Sequence, residues 1–234
     1  MELERIWEAH CTGRRRGSYE ELRPDLVYGH EGTLALILPE LERLGGPRLK
    51  PECLFFVVDH FAPPSTGPFA DIVQDFKGFC RTRSIGLALY EGIGHRLMLE
   101  SPRVTRGMLV LGADSHTTTI GGKGALGIGL GSTDILAVLM TGTAWLQRPA
   151  VSEVGVDGTL PPFVDTRDAT LHLLGRVGQA GFLGQVVEFV DSTPDGLSLE
   201  AASVLTNMTV EMGAVSGLLA QRMAGDESGS RPGT

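Results

Sequence analysis

Four short runs along the chain are apolar and β-branched or aromatic in character: Leu54-Phe55-Phe56-Val57-Val58, Met108-Leu109-Val110-Leu111, Val151 to Val156, and Gln185-Val186-Val187-Glu188-Phe189-Val190. Such runs read as strands buried on both faces. Around them, apolar positions recur with helical period over Pro68 to Thr82, Thr133 to Leu146, Arg167 to Ala180 and Ser198 to Met212. Ser132-Thr133-Asp134 supplies a start for the second helix and Leu197-Ser198-Leu199-Glu200 a capping start for the last. Alternation of this kind predicts an α/β fold with a largely parallel sheet.

Arg148-Pro149 closes a glycine-rich stretch that runs from Gly86 to Gly142, and a strand and turn follow it. This places a soft boundary near residue 150, with an α/β domain over 1–150 and a second α/β subdomain over 151–223. The Gly/Ser/Pro-rich tail, 224–234, is expected to be disordered.

At 234 residues and 42% hydrophobic content the chain can bury a sizeable core. Its net charge of −8 argues against nucleic acid as a partner, since phosphate backbones are bound by clustered Lys and Arg. The local run Arg14-Arg15-Arg16 reads as a solvated loop. Charges interrupt the first residues where a signal peptide needs an apolar core, and no stretch approaches the ~20 apolar residues that cross a bilayer. A cytoplasmic location without membrane association is the expectation. Cys11, Cys53 and Cys80 are widely spaced and form no C-x-x-C pair, which points to reduced thiols and away from a disulfide framework or a complete cysteine-ligated centre.

Chemistry concentrates in four places. Asp59-His60 follows the strand Leu54 to Val58, where open α/β sheets form their sites. A carboxylate beside an imidazole sets its tautomer and raises its basicity. Gly92-Ile93-Gly94-His95 sets a histidine at the start of a short helix. Asp114-Ser115-His116 follows the strand Met108 to Leu111 and leads into Gly121-Gly122-Lys123-Gly124, a poor packing segment and a good site. Asn207 and Glu211 are spaced i, i+4, which would put amide and carboxylate on one helix face amid apolar neighbours. His10 and His172 read as helix residues without partners, Lys123 as flexible or anion-facing, and Asp134 as a helix N-terminal carboxylate.

In order, spacing and wording these stretches resemble the aconitase superfamily, in particular the N-terminal half of the 3-isopropylmalate dehydratase large subunits, over about Leu22 to Ala220. The resemblance implies a three-layer α/β/α fold, truncated before the domain that carries the iron–sulfur cysteines. It implies catalytic roles for Asp59, His60, His95, Asp114, Ser115, His116 and Glu211, and substrate-binding roles for Asn207 and for His30, which stands in His30-Glu31-Gly32-Thr33. Three carboxylate–imidazole pairs follow: Asp59 with His60, Asp114 with His95, and Glu211 with His116. A nearby anion favours the imidazolium, which suits general acid work. The implied activity is dehydration or hydration of a small hydroxy di- or tricarboxylate.

What the family places elsewhere divides the readings. A [4Fe–4S] cluster, the serine base and the arginines that grip substrate carboxylates would come from a complementary aconitase-type subunit. Alternatively the chain acts alone, using the set directly or holding one divalent Fe, Mn or Zn ion on His60, His95, His116, Asp114 and Glu211, or no cofactor at all. A third reading is a non-catalytic binding or regulatory remnant. An interdomain face left uncovered favours either a partner subunit or a homo-oligomer.

Overall fold

The elements follow from local chemistry that the chain carries at their ends. In the computed structural model, which describes residues 1–220, they run in the order α1 (Glu2–His10), β1 (Cys11–Arg16), β2 (Tyr19–Leu22), β3 (Leu26–His30), α2 (Glu31–Leu34), α3 (Leu38–Arg43), β4 (Leu54–Val58), α4 (Gly67–Thr82), β5 (Leu87–Leu89), α5 (Gly94–Glu100), β6 (Leu109–Gly112), β7 (Leu126–Gly129), α6 (Ser132–Thr141), β8 (Ala144–Gln147), β9 (Ala150–Asp157), α7 (Thr166–Val177), β10 (Gln185–Ser192), α8 (Leu199–Asn207) and β11 (Ser216–Ala220). Two 3₁₀ segments, Ser115–Lys123 and Met208–Met212, complete the part that matters for the site. The tail expected to be disordered, 224–234, lies outside the described residues.

Thr66 caps α4 through its hydroxyl, Ser198 caps α8, and Asp165 and Asp168 form a reciprocal capping box at the start of α7. The main sheet has five parallel strands in the order β5-β4-β3-β6-β7 and is flanked by helices. The chain lays β3, β4 and β5 to one side, then crosses to place β6 and β7 on the other. The seam between β3 and β6 is therefore a topological switch point, where a crevice opens at the carboxyl ends of the strands. Every residue of β3 is buried, including its final His30.

A second parallel sheet, β11-β10-β9, and an antiparallel one, β1-β2-β8, complete the architecture. Leu111 and Leu126 of the main sheet share one contiguous apolar core with Val186 and Leu218 of the second. The two sheets meet closely where the 3₁₀ segment Ser115–Lys123 passes β11. A Cβ on Gly121 would lie 1.8 Å from the Gly217 carbonyl oxygen, so only glycine allows that approach.

Several expectations are corrected. The helix expected from Thr133 to Leu146 stops at Thr141, because Gly142 adopts a left-handed conformation (φ 78°) and its N–H closes on the Val138 carbonyl. Ala144–Gln147 instead pairs with β2 as an edge strand. The run Arg14-Arg15-Arg16 is not a loop but part of β1. Arg14 pairs with Glu21 at 3.1 Å and Arg15 with Glu20 at 2.6 Å, and the guanidiniums of Arg14 and Arg16 lie over Trp145. His10 does have a partner, Asp25, at 2.7 Å, and Lys123 donates to the Ser101 carbonyl at 2.7 Å.

Candidate active site

The crevice at the carboxyl ends of β3 to β6 is floored by Tyr28, buried in the central strand β3. Its hydroxyl donates to Asp114 Oδ2 at 3.3 Å. Burial pushes the phenol pKa well up, and the negative charge of Asp114 pushes the same way, so Tyr28 stays a hydrogen-bond donor.

Asp114 starts the 3₁₀ segment and caps it, accepting from the His116 backbone N–H at 2.9 Å. His95 Nδ1, at the start of α5, lies 3.4 Å from Asp114 Oδ2. Burial works to raise the Asp114 pKa. The His95 hydrogen bond, the His116 amide and the charges of His95 and His30 outweigh it and hold the carboxyl at about 2.

Asp59 and His60 leave β4 together. Their Oδ1 and Nδ1 atoms are 2.6 Å apart, with Asp59 buried and His60 half exposed. The other Asp59 oxygen accepts from the Gly94 backbone N–H at 2.6 Å. A Cβ on Gly94 would meet Tyr28 Oη at 2.2 Å, so the glycine lets α5 sit against the floor of the crevice.

His116 presents Nε2 at 3.8 Å from Glu211 Oε1, and its Nδ1 lies 3.2 Å from Ser115 Oγ. The rings of His95 and His116 are 5.7 Å apart. Asn207 and Glu211 lie on two successive elements rather than on one α-helix. α8 ends at Asn207, and Glu211 belongs to the 3₁₀ segment that follows. Asn207 Nδ2 instead donates to Thr119 Oγ1 at 2.8 Å, while Glu211 reaches His116.

Two residues here escaped the sequence reading. Tyr28 carried no motif. Glu31 did lie in the His-Glu-x-Thr stretch, but an acidic residue after a strand gives no local sign that it will be buried. It accepts backbone N–H bonds from Asp59, His60 and Phe61. Beside it the His30 and His60 rings stack at 3.7 Å with 5° between planes. His30 is buried and its Nδ1 has no partner, an arrangement that costs about 1–3 kcal/mol in the absence of a ligand. Burial lowers the His30 pKa, and the His60 charge lowers it further, so His30 favours the neutral ring.

His30, Glu31, Asp59 and His60 are the one group of three or more potential ligands among the described residues whose donor atoms all lie within 4.8 Å of one another. Their chemistry does not fit a metal ion. Glu31 is committed to three amides, Asp59 to Gly94 and His60, and two face-to-face imidazoles direct their lone pairs side by side rather than at one point. The set His60, His95, His116, Asp114 and Glu211 does not gather within that distance: Asp114 lies between His95 and His116, Glu211 reaches His116, and His60 pairs with Asp59, outside the set.

The described cysteines do not fit an iron–sulfur cluster either. Cys11 opens β1, Cys53 precedes β4, and Cys80 is buried in α4 with its thiol pushed up to about 12 by desolvation. No cysteine joins a ligand group among the described residues. No helix among them is long and apolar enough to cross a membrane.

Residues 4–223 match the aconitase family (aconitate hydratase). The chain is 34% identical to the 3-isopropylmalate dehydratase large subunit 1 of Pyrococcus abyssi, over 86% of this chain and 50% of that protein. It is 34% identical to the 3-isopropylmalate dehydratase large subunit of Moorella thermoacetica, over 92% of this chain and 52% of the relative. With a "Probable methanogen homoaconitase large subunit" of Methanosarcina mazei the identity is 33%, over 83% and 51%. The chain thus spans about half the length of the curated relatives it matches. With the crevice at the switch point of its parallel sheet and a family match over nearly its whole length, the chain belongs to the aconitase family.

Proposed function

We propose that this chain supplies the acid–base groups of a hydro-lyase or isomerase that dehydrates and rehydrates a small hydroxy di- or tricarboxylate, acting with a complementary aconitase-type subunit. The observation that carries the reading is the convergence of three carboxylate–imidazole pairs, Asp59 with His60, Asp114 with His95 and Glu211 with His116, on one crevice. A site for neutral ligands has no use for three such pairs. The relatives are named as large subunits, which favours a partner over self-association.

The reaction needs a proton removed from the carbon next to a carboxylate and another delivered to the departing hydroxyl. The C–H electron pair becomes the second bond of C=C, the C–O bond breaks, and an imidazolium proton turns the departing hydroxide into water. His60 and His116 are the candidate donors, because each is partly exposed to the crevice and backed by a carboxylate. Asp114 stays ionised beside His95 and orients it. His30 and Asn207 are the substrate-binding candidates. The buried, unpartnered Nδ1 of His30 suits a carboxylate or hydroxyl oxygen. The abstracting base belongs to the complementary subunit.

The test is an assay of the chain, alone and with a complementary subunit, on a panel of small hydroxy di- and tricarboxylates, following the unsaturated acid by NMR. Turnover that needs both proteins and collapses in His60→Ala and His116→Ala is expected. Turnover unchanged by both substitutions would end the reading. So would the absence of turnover in every preparation together with no carboxylate-induced shift of any site histidine.

A further inference from the structure

Glu31 is fully buried, and among the described residues no Lys or Arg forms an ion pair with it. Burying a carboxylate this way is costly unless hydrogen bonds replace its hydration. Here three consecutive backbone N–H groups do so: Asp59 donates to Oε2 at 3.2 Å, His60 to Oε1 at 2.9 Å, and Phe61 also to Oε1. Strand register explains the reach. His30 pairs with Val57, so the residue after β3 comes level with the end of β4 and meets the amides that follow it.

The preceding residue acts on the other half of the same histidine. The His30 ring lies flat against the His60 ring at 3.7 Å. His30 at the end of β3 and Glu31 at the start of α2 therefore hold the ring plane and the backbone of His60, whose side chain is otherwise half exposed.

We propose that Glu31 is a positioning residue for His60, fixing through the amides of Asp59, His60 and Phe61 the turn that aims the imidazole into the crevice. The proposal rests on the reading of His60 as a proton donor. It concerns a residue that touches no reacting atom, so its test needs a signal local to His60.

Glu31→Gln preserves volume and one acceptor oxygen but turns an NH₂ group toward the amide donors. In this variant the Asp59, His60 and Phe61 amides should exchange with solvent roughly tenfold faster or more, as expected when charge-assisted bonds are lost. The imidazole nitrogen NMR shifts of His60 should change while those of His95 and His116 stay in place. In the complete enzyme kcat should fall roughly tenfold with KM nearly unchanged, as misorientation of a proton donor predicts. Glu31→Asp, one carbon shorter, should restore part of the amide protection.

Unchanged exchange and His60 shifts in Glu31→Gln would overturn the proposal, and so would equal changes at all three histidines, which mark general loosening. If Glu31→Gln does not fold, exchange in the unaltered chain decides. The three amides must then exchange at least roughly tenfold slower than those of the exposed Ser65 and Thr66, and equal rates would overturn the proposal. Full turnover in His60→Ala would instead remove the proton-donor reading while leaving the hold of Glu31 on the turn intact.

Discussion

Asp59 Oδ2 accepts the Gly94 backbone N–H at 2.6 Å while Asp59 Oδ1 faces His60 Nδ1 at the same distance. One carboxylate thus joins the turn after β4 to the start of the helix that carries His95. Removing its charge should disturb both histidines. Asp59→Asn leaves an oxygen for only one of the two contacts. We expect turnover of the complete enzyme to fall roughly 10²-fold or more, the scale of a lost acid–base group. Loss confined to a few-fold would show that Asp59 serves the fold alone.

The same junction depends on a missing side chain. In Gly94→Ala the new Cβ would lie 2.2 Å from Tyr28 Oη and 2.7 Å from Val57 Cγ2, so α5 must shift and draw His95 from Asp114. Denaturant unfolding should show a loss of roughly 1–3 kcal/mol, the scale of overpacking. Gly78→Ala is the control. It lies inside α4 with nothing within 4 Å of an added Cβ, and it should stabilise by about 0.5–1 kcal/mol. Equal effects at both positions would refute the packing argument.

Acid stability should report on Asp114. Its folded pKa, about 2, lies below the ordinary 3.8, so the native state holds the ionised form more tightly than the unfolded chain does. That contribution is complete above the unfolded value and is lost as pH falls through the folded one. After allowance for partial exposure it is on the order of 1–2 kcal/mol. The stability of Asp114→Asn should therefore fall less than that of the unaltered chain between about pH 4 and pH 2. Parallel curves would place the acid sensitivity elsewhere.

Two histidines should give opposite slopes. The Asp25 hydrogen bond raises the His10 pKa, so its stabilisation is complete below the unfolded value near 6.5 and is lost as pH rises through the folded one. For His30 burial and the His60 charge lower the pKa, so its contribution is complete above the same unfolded value and is lost as pH falls through and below it. Difference curves for His10→Gln and His30→Gln, measured by thermal unfolding around neutral pH, should therefore tilt in opposite directions. Slopes of one sign would contradict the environments described.

The elements most legible in the chain were those with their own punctuation. The run Leu54 to Val58 became β4 without a change of bounds, and α8 begins where its capping Ser198 stands, whereas α7, expected over Arg167 to Ala180, runs from Thr166 to Val177. β3 was missed although it is the central strand of the site. It passes directly into α2, so no turn marks its end. The helix expected through Leu146 stops short: apolar spacing continues past Gly142, but there the backbone turns left-handed and pairing with β2 takes over.

Sequence alone determined the alternating α/β pattern and the segments that bear ionisable groups, because strand and helix periods, caps and strand-end polar residues act over a few neighbouring positions. Only the tertiary structure decided which groups meet. The β3/β6 switch point brought Tyr28 and Asp114 together across 86 intervening chain steps, and the packing of the 3₁₀ segments Ser115–Lys123 and Met208–Met212 brought His116 to Glu211. Burial turned Glu31 from a surface-type acid into the acceptor of three amides. Such pairings depend on strand order and on exclusion of water, and neither is a property of any short stretch of chain.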